Sequence, residues 1–260
     1  MKKLIHLLLI TCFLISGGGQ VLAGDELEIK CYEWQGEINN KIPVTVWVEI
    51  NEDLIVGEIV YLNTVDKKPI RLLGEVNPDY IHLQEMLPDG VISGMITGNI
   101  KDGAFIGHWM SPPKIVDEGD YNFKHIDGKE YPINLKERSV AHKAYGWDFK
   151  PNNLVGRYRY SYGPNNAGGI ITLDTPGQDY VFIDYEISSA TAAPAFNMAD
   201  TGPQKGEITG KRLECHLEAD CAYEMLFFNN FIAVRYLKDN PCQGVFGWNA
   251  SLEGLFLKIK

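Results

Sequence analysis

Apolar and polar residues alternate over short stretches from about residue 26 onward. The clearest stretch is 42–50, in which Val44, Val46 and Val48 fall on every second position, with Trp47 on the opposite side. A period of two residues predicts a β-strand with one face buried. Turn-forming groups separate such stretches at short intervals, for example Asp66-Lys67-Lys68-Pro69 and Pro88-Asp89-Gly90. The first half of the chain is therefore predicted to hold seven or eight short strands.

Strands with short connections and regular spacing predict an up-and-down meander. A meander loses its exposed edges when it closes into a barrel. Glycines within the predicted strands support closure because they permit the bends that coiled strands need. These glycines are Gly36, Gly57, Gly74, Gly94, Gly98 and Gly107.

The glycine and strand pattern over about residues 30–126 resembles up-and-down β-barrel modules of the lipocalin or avidin type, as found in bacterial exported proteins of unknown role. The resemblance runs through Gly36, Ile42–Val48, Gly57–Tyr61, Pro69–Gly74, Leu83–Glu85, Gly94, Gly98 and Gly107-His108-Trp109. It implies a small barrel whose interior can hold a ligand. In lipocalins a Gly-x-Trp signature lies near the first strand, whereas Gly107-His108-Trp109 lies late in this run.

The second half repeats the strand pattern without an alignable internal repeat. Gly156–Tyr162 alternates, and Thr191–Pro203 is rich in Ala, Thr and Pro, which predicts an exposed loop. Residues 139–153 are less regular and predict a linker. The expected fold is all-β, with two consecutive antiparallel β-barrel-like domains at 24–138 and 154–260.

The N-terminus predicts a cleaved signal peptide over residues 1–23. Lys2 and Lys3 precede an apolar stretch over 4–15, and Val21-Leu22-Ala23 resembles a signal-peptidase site. The stretch is too short for a transmembrane span, and no later segment is long and apolar enough for one. A lipoprotein anchored through Cys12 is the alternative. Either interpretation predicts export, with the signal-peptide interpretation placing the protein in the periplasm or outside the cell.

The chain is acidic, with a formal net charge of −10, and removing residues 1–23 lowers it to −12 because two lysines and no acid are lost. A negative surface repels phosphate backbones, so a nucleic-acid partner is not expected. A basic partner is favoured electrostatically, although solubility alone also accounts for such a charge.

Four cysteines remain after residue 23, namely Cys31, Cys215, Cys221 and Cys242. An even number in an exported protein predicts disulfides, and four cysteines allow three pairings. Cys221 and Cys242 flank a predicted hairpin, which favours that pair. Cys31 and Cys215 would then form the second bond. The cysteine and histidine spacings match no metal motif, and no cofactor is expected.

The sequence contains no recognisable catalytic motif. Glu85 is the one acid of interest, because it follows Leu83 at strand spacing and would share its inward orientation. An inward carboxyl with a raised pKa can act as a general acid. The alternative is that the leucines face out, or that Glu85 pairs with Arg71 on a neighbouring strand.

Aromatic residues are the candidate binding groups. Trp47, Tyr61 and Trp109 would border a ligand if they met inside the first barrel. Tyr158, Tyr160 and Tyr162 share one strand face, which suits either sugar stacking, an interface or a core.

Together these features favour a non-catalytic exported protein of the cell envelope that recognises a protein partner. The alternatives are a barrel carrier of a small apolar ligand and a hydrolase of an envelope polymer that uses paired carboxylates.

Overall fold

The computed structural model describes residues 29–138, 147, 149–175, 181–217, 221–237, 242 and 244–259. The predicted signal peptide, Cys12 and most of the predicted linker lie outside these residues. Among the described residues, no helix is long and apolar enough to cross a membrane.

The first half of the chain forms a closed antiparallel barrel, as the strand pattern predicts. Around the barrel the order is β1-β10-β7-β6-β5-β4-β3-β2. A separate two-stranded hairpin, β8–β9, lies between β7 and β10 in the sequence. The strands are β1 (Lys30–Ile38), β2 (Ile42–Asn51), β3 (Leu54–Tyr61), β4 (Ile70–Val76), β5 (Ile81–Met86), β6 (Ile92–Lys101), β7 (Ala104–Met110), β8 (Lys114–Asp117), β9 (Phe123–Ile126) and β10 (Glu130–Glu137).

Apolar side chains fill the interior of this barrel. Val44, Val46 and Val48 point inward, as their alternation predicts, and they pack with Trp34 and Phe105 among further Ile, Leu and Val residues. An eight-stranded barrel is just wide enough for side chains to fill it. All six glycines noted above lie within barrel strands. At Gly57 a Cβ would come within 2.1 Å of the Trp47 carbonyl oxygen, so a larger residue there would push two strands apart.

The second half forms a nine-stranded antiparallel sheet that curls around its own core without closing. The order is β14-β13-β12-β11-β19-β18-β17-β16, with β15 also paired to β13. A short 3-10 turn, Pro151–Asn153, precedes it. The strands are β11 (Gly156–Ser161), β12 (Gly168–Asp174), β13 (Phe182–Ala190), β14 (Met198–Asp200), β15 (Gln204–Glu207), β16 (Arg212–His216), β17 (Ala222–Phe227), β18 (Phe231–Tyr236) and β19 (Gly254–Lys258).

The barrel and the curled sheet pack against each other through a shared apolar cluster. The barrel contributes outward residues of β3 and β4, such as Val56 and Leu73, and the sheet contributes Phe228, Phe231 and Leu257. Residues 54–57 are buried at every position, because the even residues of β3 face this cluster while the odd ones face the barrel interior. We name the whole set the interdomain cluster, and its buried members are Leu54, Val56, Leu73, Met86, Ile92, Phe228, Phe231, Ala233, Leu255 and Leu257.

The described residues of the connection pack onto the second sheet. The Trp147 ring lies edge-to-face against Phe228, with 5.5 Å between centroids, and the Phe149 ring lies 6.0 Å from that of Phe227. The Trp147 indole also donates a hydrogen bond of 2.9 Å to Glu49 Oε2 of the barrel. This part of the connection is therefore anchored to both halves.

The disulfide prediction is confirmed for one pair and wrong for the other. Cys221 and Cys242 are bonded, whereas Cys31 and Cys215 are free. Cys31 lies on β1 of the barrel, opposite Glu49, and Cys215 is buried in the core of the second sheet. Among the described strands, β1 pairs with β2 and β10 of the barrel, and β16 pairs with β17 of the second sheet, so the two thiols lie in separate sheets.

The two free thiols should differ in reactivity. Burial raises the pKa of both thiols, but Cys31 is partly exposed, whereas Cys215 is buried and its pKa rises to about 11. We expect a thiol-alkylating reagent to label Cys31 in the folded protein and Cys215 only after unfolding. Peptide mass spectrometry of the labelled protein measures this, and a Cys31–Cys215 disulfide would instead protect both until reduction.

Candidate functional site

Two of the three aromatic residues predicted to line the barrel come together at one of its ends. The Tyr61 hydroxyl and the Trp109 indole N–H both donate to Glu85 Oε1, at 2.7 and 2.8 Å. The Ser93 hydroxyl donates to the other carboxyl oxygen at 3.3 Å. Trp47 does not join them, because it alternates with Val46 and Val48 and so lies on the outer face of β2.

Glu85 faces inward, as one of the two interpretations of the sequence predicts. Arg71 does not pair with it and instead lies 3.7 Å from Glu58, its cross-strand neighbour. Burial raises the pKa of the Glu85 carboxyl, and the three donors oppose that rise only in part. Gly94 makes room for this arrangement, since a Cβ there would lie 2.6 Å from both Glu85 Oε2 and Trp109 Nε1.

The position of Glu85 limits what it can do chemically. Glu85 is 1% exposed, and its carboxyl group accepts hydrogen bonds from Tyr61, Trp109 and Ser93, none of which carries a carboxyl group. Hydrolysis of a polymer by paired carboxylates needs a second acid and access for the chain. The geometry therefore favours a structural role, in which Glu85 joins β3, β6 and β7 at one end of the barrel.

Tyr158 and Tyr160 lie on β11, and Tyr162 directly follows it. Together the three tyrosines extend from the core of the second sheet to the interdomain cluster. Tyr158 is fully buried and donates 2.7 Å to the Leu154 carbonyl oxygen. The Tyr160 ring packs edge-to-face on Phe256 at 4.9 Å, and burial raises its pKa to about 12. Tyr162 accepts a hydrogen bond of 2.9 Å from Gln84 of the barrel. The stripe is thus used for packing within and between the two halves, which leaves it little surface for a sugar.

Three exposed large side chains of the second half, Phe196, Met198 and Trp248, lie on or beside β14. Trp248 is 79% exposed and Met198 is 53% exposed. Phe196 is also exposed, and its ring lies edge-to-face on Phe123 of the β8–β9 hairpin, with 5.6 Å between centroids. We name Phe123, Phe196, Met198 and Trp248 the aromatic patch.

The backbone that carries the aromatic patch is held in place by hydrogen bonds. Gly247 N–H donates 3.0 Å to the Met198 carbonyl oxygen, and the Asn197 side chain donates 2.7 Å to the Trp248 carbonyl oxygen. Disulfide-bonded Cys242 accepts a hydrogen bond from Val245 in the same segment. The predicted loop 191–203 is only partly irregular in the structure, because it contains β14.

The sequence pattern predicted an exposed loop at 191–203 but did not indicate Trp248 as a candidate binding residue. Its only sequence signal is a short segment with Gly244 and Gly247, which predicts bends and not exposure. The exposure of Trp248 depends on how this segment crosses the outer edge of β14, which is tertiary information.

The chain matches no family model, no curated protein and no solved structure. Within the described residues, no group of three or more His, Cys, Asp or Glu side chains is arranged to hold a metal ion.

Proposed function

We infer that this protein is a non-catalytic exported binding protein that recognises a protein partner through the aromatic patch. The observation that carries this proposal is the 79% exposure of Trp248 beside the 53% exposure of Met198. Trp and Met are enriched in protein interfaces, and a buried Trp is among the commonest residues to dominate binding energy.

The rigidity of the patch supports this function. Interface side chains and loops lose conformational freedom on binding, and that loss reduces affinity. Here the two segments that carry Met198 and Trp248 are already joined by hydrogen bonds before any partner arrives. A preformed patch needs less ordering, so more of its apolar contact contributes to affinity.

The charge of the chain favours a basic partner. At a formal net charge of −12, which is the −10 of the whole chain less Lys2 and Lys3, long-range attraction would speed encounter with a positively charged protein and weaken as salt is added. The disulfide between Cys221 and Cys242 supports an oxidising compartment, in keeping with a periplasmic or secreted protein.

The other two functions receive less support from the geometry. An apolar carrier needs space inside the barrel, and apolar side chains fill that interior. A carboxylate-based hydrolase needs an accessible pair of acids, and Glu85 is both buried and bonded to three non-acidic donors.

Replacing Trp248 with alanine should weaken partner binding at least thirtyfold, which corresponds to about 2 kcal/mol at a residue that dominates an interface. The partner is first identified by placing a photo-crosslinking amino acid at position 248 in living cells and analysing the product by mass spectrometry. Affinity of the purified pair is then measured by calorimetry.

Tyr80 provides the matched control, because it is an exposed aromatic at 43% on the barrel, away from β14. A crosslinker at position 80 should give no product, and Tyr80→Ala should leave affinity unchanged. Equal crosslinking at both positions, or equal loss from both alanine variants, would contradict recognition through the aromatic patch.

A further inference from the structure

The β8–β9 hairpin is covered along one edge and open along the other. The Pro113 carbonyl oxygen, just before β8, accepts a hydrogen bond of 2.9 Å from the Asn166 side chain of the second half. The Ile115 carbonyl oxygen accepts one of 3.4 Å from the Asn165 side chain, and Ile115 itself is buried. On β9, by contrast, three of the four residues are exposed. The second half therefore fixes the hairpin along β8 and leaves the edge along β9 accessible.

The open edge of β9 presents backbone groups without partners. Glu118 N–H donates 2.9 Å to the Asn122 carbonyl oxygen across the hairpin, and bonded pairs recur at every second residue of an antiparallel ladder. The N–H and C=O groups of Phe123 and His125 therefore point away from β8. The same alternation turns the Ile115 carbonyl oxygen away from β9, where the second half binds it. Among the described residues, none bonds to the backbone of Phe123 or His125.

An edge of this kind can be extended by a segment of another chain, which adds to the sheet as a further strand. A second copy of this chain suits the edge badly. In the antiparallel register that uses Phe123 and His125 of both copies, Lys124 lies directly opposite its own counterpart. Like charges directly opposite each other are destabilising. The edge therefore favours a different chain over self-association.

The side chains along β9 define the chemistry of the segment that fits. On the exposed face of the hairpin, Lys124 and Ile126 lie beside Lys114, and neither lysine forms an ion pair with a described residue. An acidic side chain in the added strand would pair with Lys124. On the other face, Phe123 packs against Phe196 of the aromatic patch, so an apolar side chain fits there.

We propose that the open edge of β9 binds an extended segment of the protein partner as an added strand, with an acidic side chain beside Lys124 and an apolar one beside Phe123. This inference rests on the proposed function, because Phe123 belongs to the aromatic patch and makes the two surfaces continuous. One acidic side chain in the segment is compatible with a partner that is basic overall.

Photo-crosslinking from position 126 in living cells tests the proposal, because the exposed Ile126 side chain borders the edge. We expect a product of the same mass as that from position 248. Its yield should fall about tenfold in His125→Pro, which removes an N–H that the added strand would bond and that the β8–β9 ladder does not use. His125→Ala is the matched control, because it removes the side chain but keeps the N–H, and its yield should match that of the natural residue.

Hydrogen exchange provides a second measurement that does not depend on proline. In the natural protein, the Phe123 and His125 amides should exchange about tenfold more slowly once the crosslinked partner, purified separately, is bound. The amide of Val65, which is fully exposed in the loop between β3 and β4, should exchange at the same rate with and without it.

The outcomes separate this proposal from recognition through the aromatic patch. A product from position 248 with none from position 126 would overturn strand addition and leave the patch intact. A product from position 126 alone that is lost in His125→Pro would support the edge and contradict the patch. Products from neither position, equal yields from the two His125 variants, or unchanged exchange at Phe123 and His125 would overturn the proposal.

Discussion

Replacing Phe231 with alanine should lower the free energy of unfolding by about 3–5 kcal/mol. Phe231 is 4% exposed in the interdomain cluster and stacks on Phe228 with 4.4 Å between centroids. Its ring also lies 6.3 Å from that of Trp147. Truncation removes buried apolar area and leaves a space that neighbours from two separate sheets cannot readily fill. Urea unfolding followed by circular dichroism measures the loss.

Phe182 offers a control of the same residue type, because it lies in a strand of the second sheet but is 52% exposed. Phe182→Ala should change stability by no more than about 0.5 kcal/mol, as is usual for surface positions. If the two variants lost similar stability, Phe231 would contribute no more than a surface phenylalanine.

The same cluster should make the two halves unfold together. Leu54, Val56 and Leu73 of the barrel can be buried only while the second sheet covers them. Unfolding of either half would expose these residues, and that cost links the two transitions. We expect the unfolding transitions of the barrel and of the second sheet to coincide in the natural protein and to separate in Phe231→Ala.

The barrel could be predicted from sequence because its signals are local. The alternation of Val44, Val46 and Val48 fixes which face of β2 is buried, and the turns fix the number of strands. The same alternation places Trp47 on the outer face, so grouping it with Tyr61 and Trp109 conflicted with the pattern itself. Residues 54–56 are a continuous apolar run, a pattern typical of a strand covered on both faces.

The features that sequence could not give are those that depend on distant contacts. Cys221 and Cys242 flank a hairpin and could be paired by proximity along the chain, whereas pairing Cys31 with Cys215 required knowing how the two sheets are arranged. The β8 edge of the hairpin is covered because Asn166 of the second half bonds to it. Asn166 carries no local signal for this.

Replacing Glu85 with alanine should lower the free energy of unfolding by about 3–5 kcal/mol. The change leaves the Tyr61 hydroxyl and the Trp109 indole N–H without their shared acceptor inside the barrel, and it also removes buried volume. Glu85→Gln should cost much less, because the amide oxygen can still accept from both. Thermal or urea unfolding compares them, with exposed Glu186→Ala as the control.

The pH dependence distinguishes the charge of Glu85 from its hydrogen bonds. Burial raises the folded-state pKa of Glu85 above its ordinary value of 4.5, so the folded state holds the proton more tightly than the unfolded state. The resulting stability is fully present below pH 4.5 and is lost as the pH rises through the folded pKa. Between the two pKa values the loss is about 1.4 kcal/mol per pH unit. Glu85→Gln does not titrate, so its stability relative to the natural protein should rise over this interval. A difference between the two proteins that is constant with pH would mean that Glu85 titrates alike in the folded and unfolded states, and that burial does not control its charge.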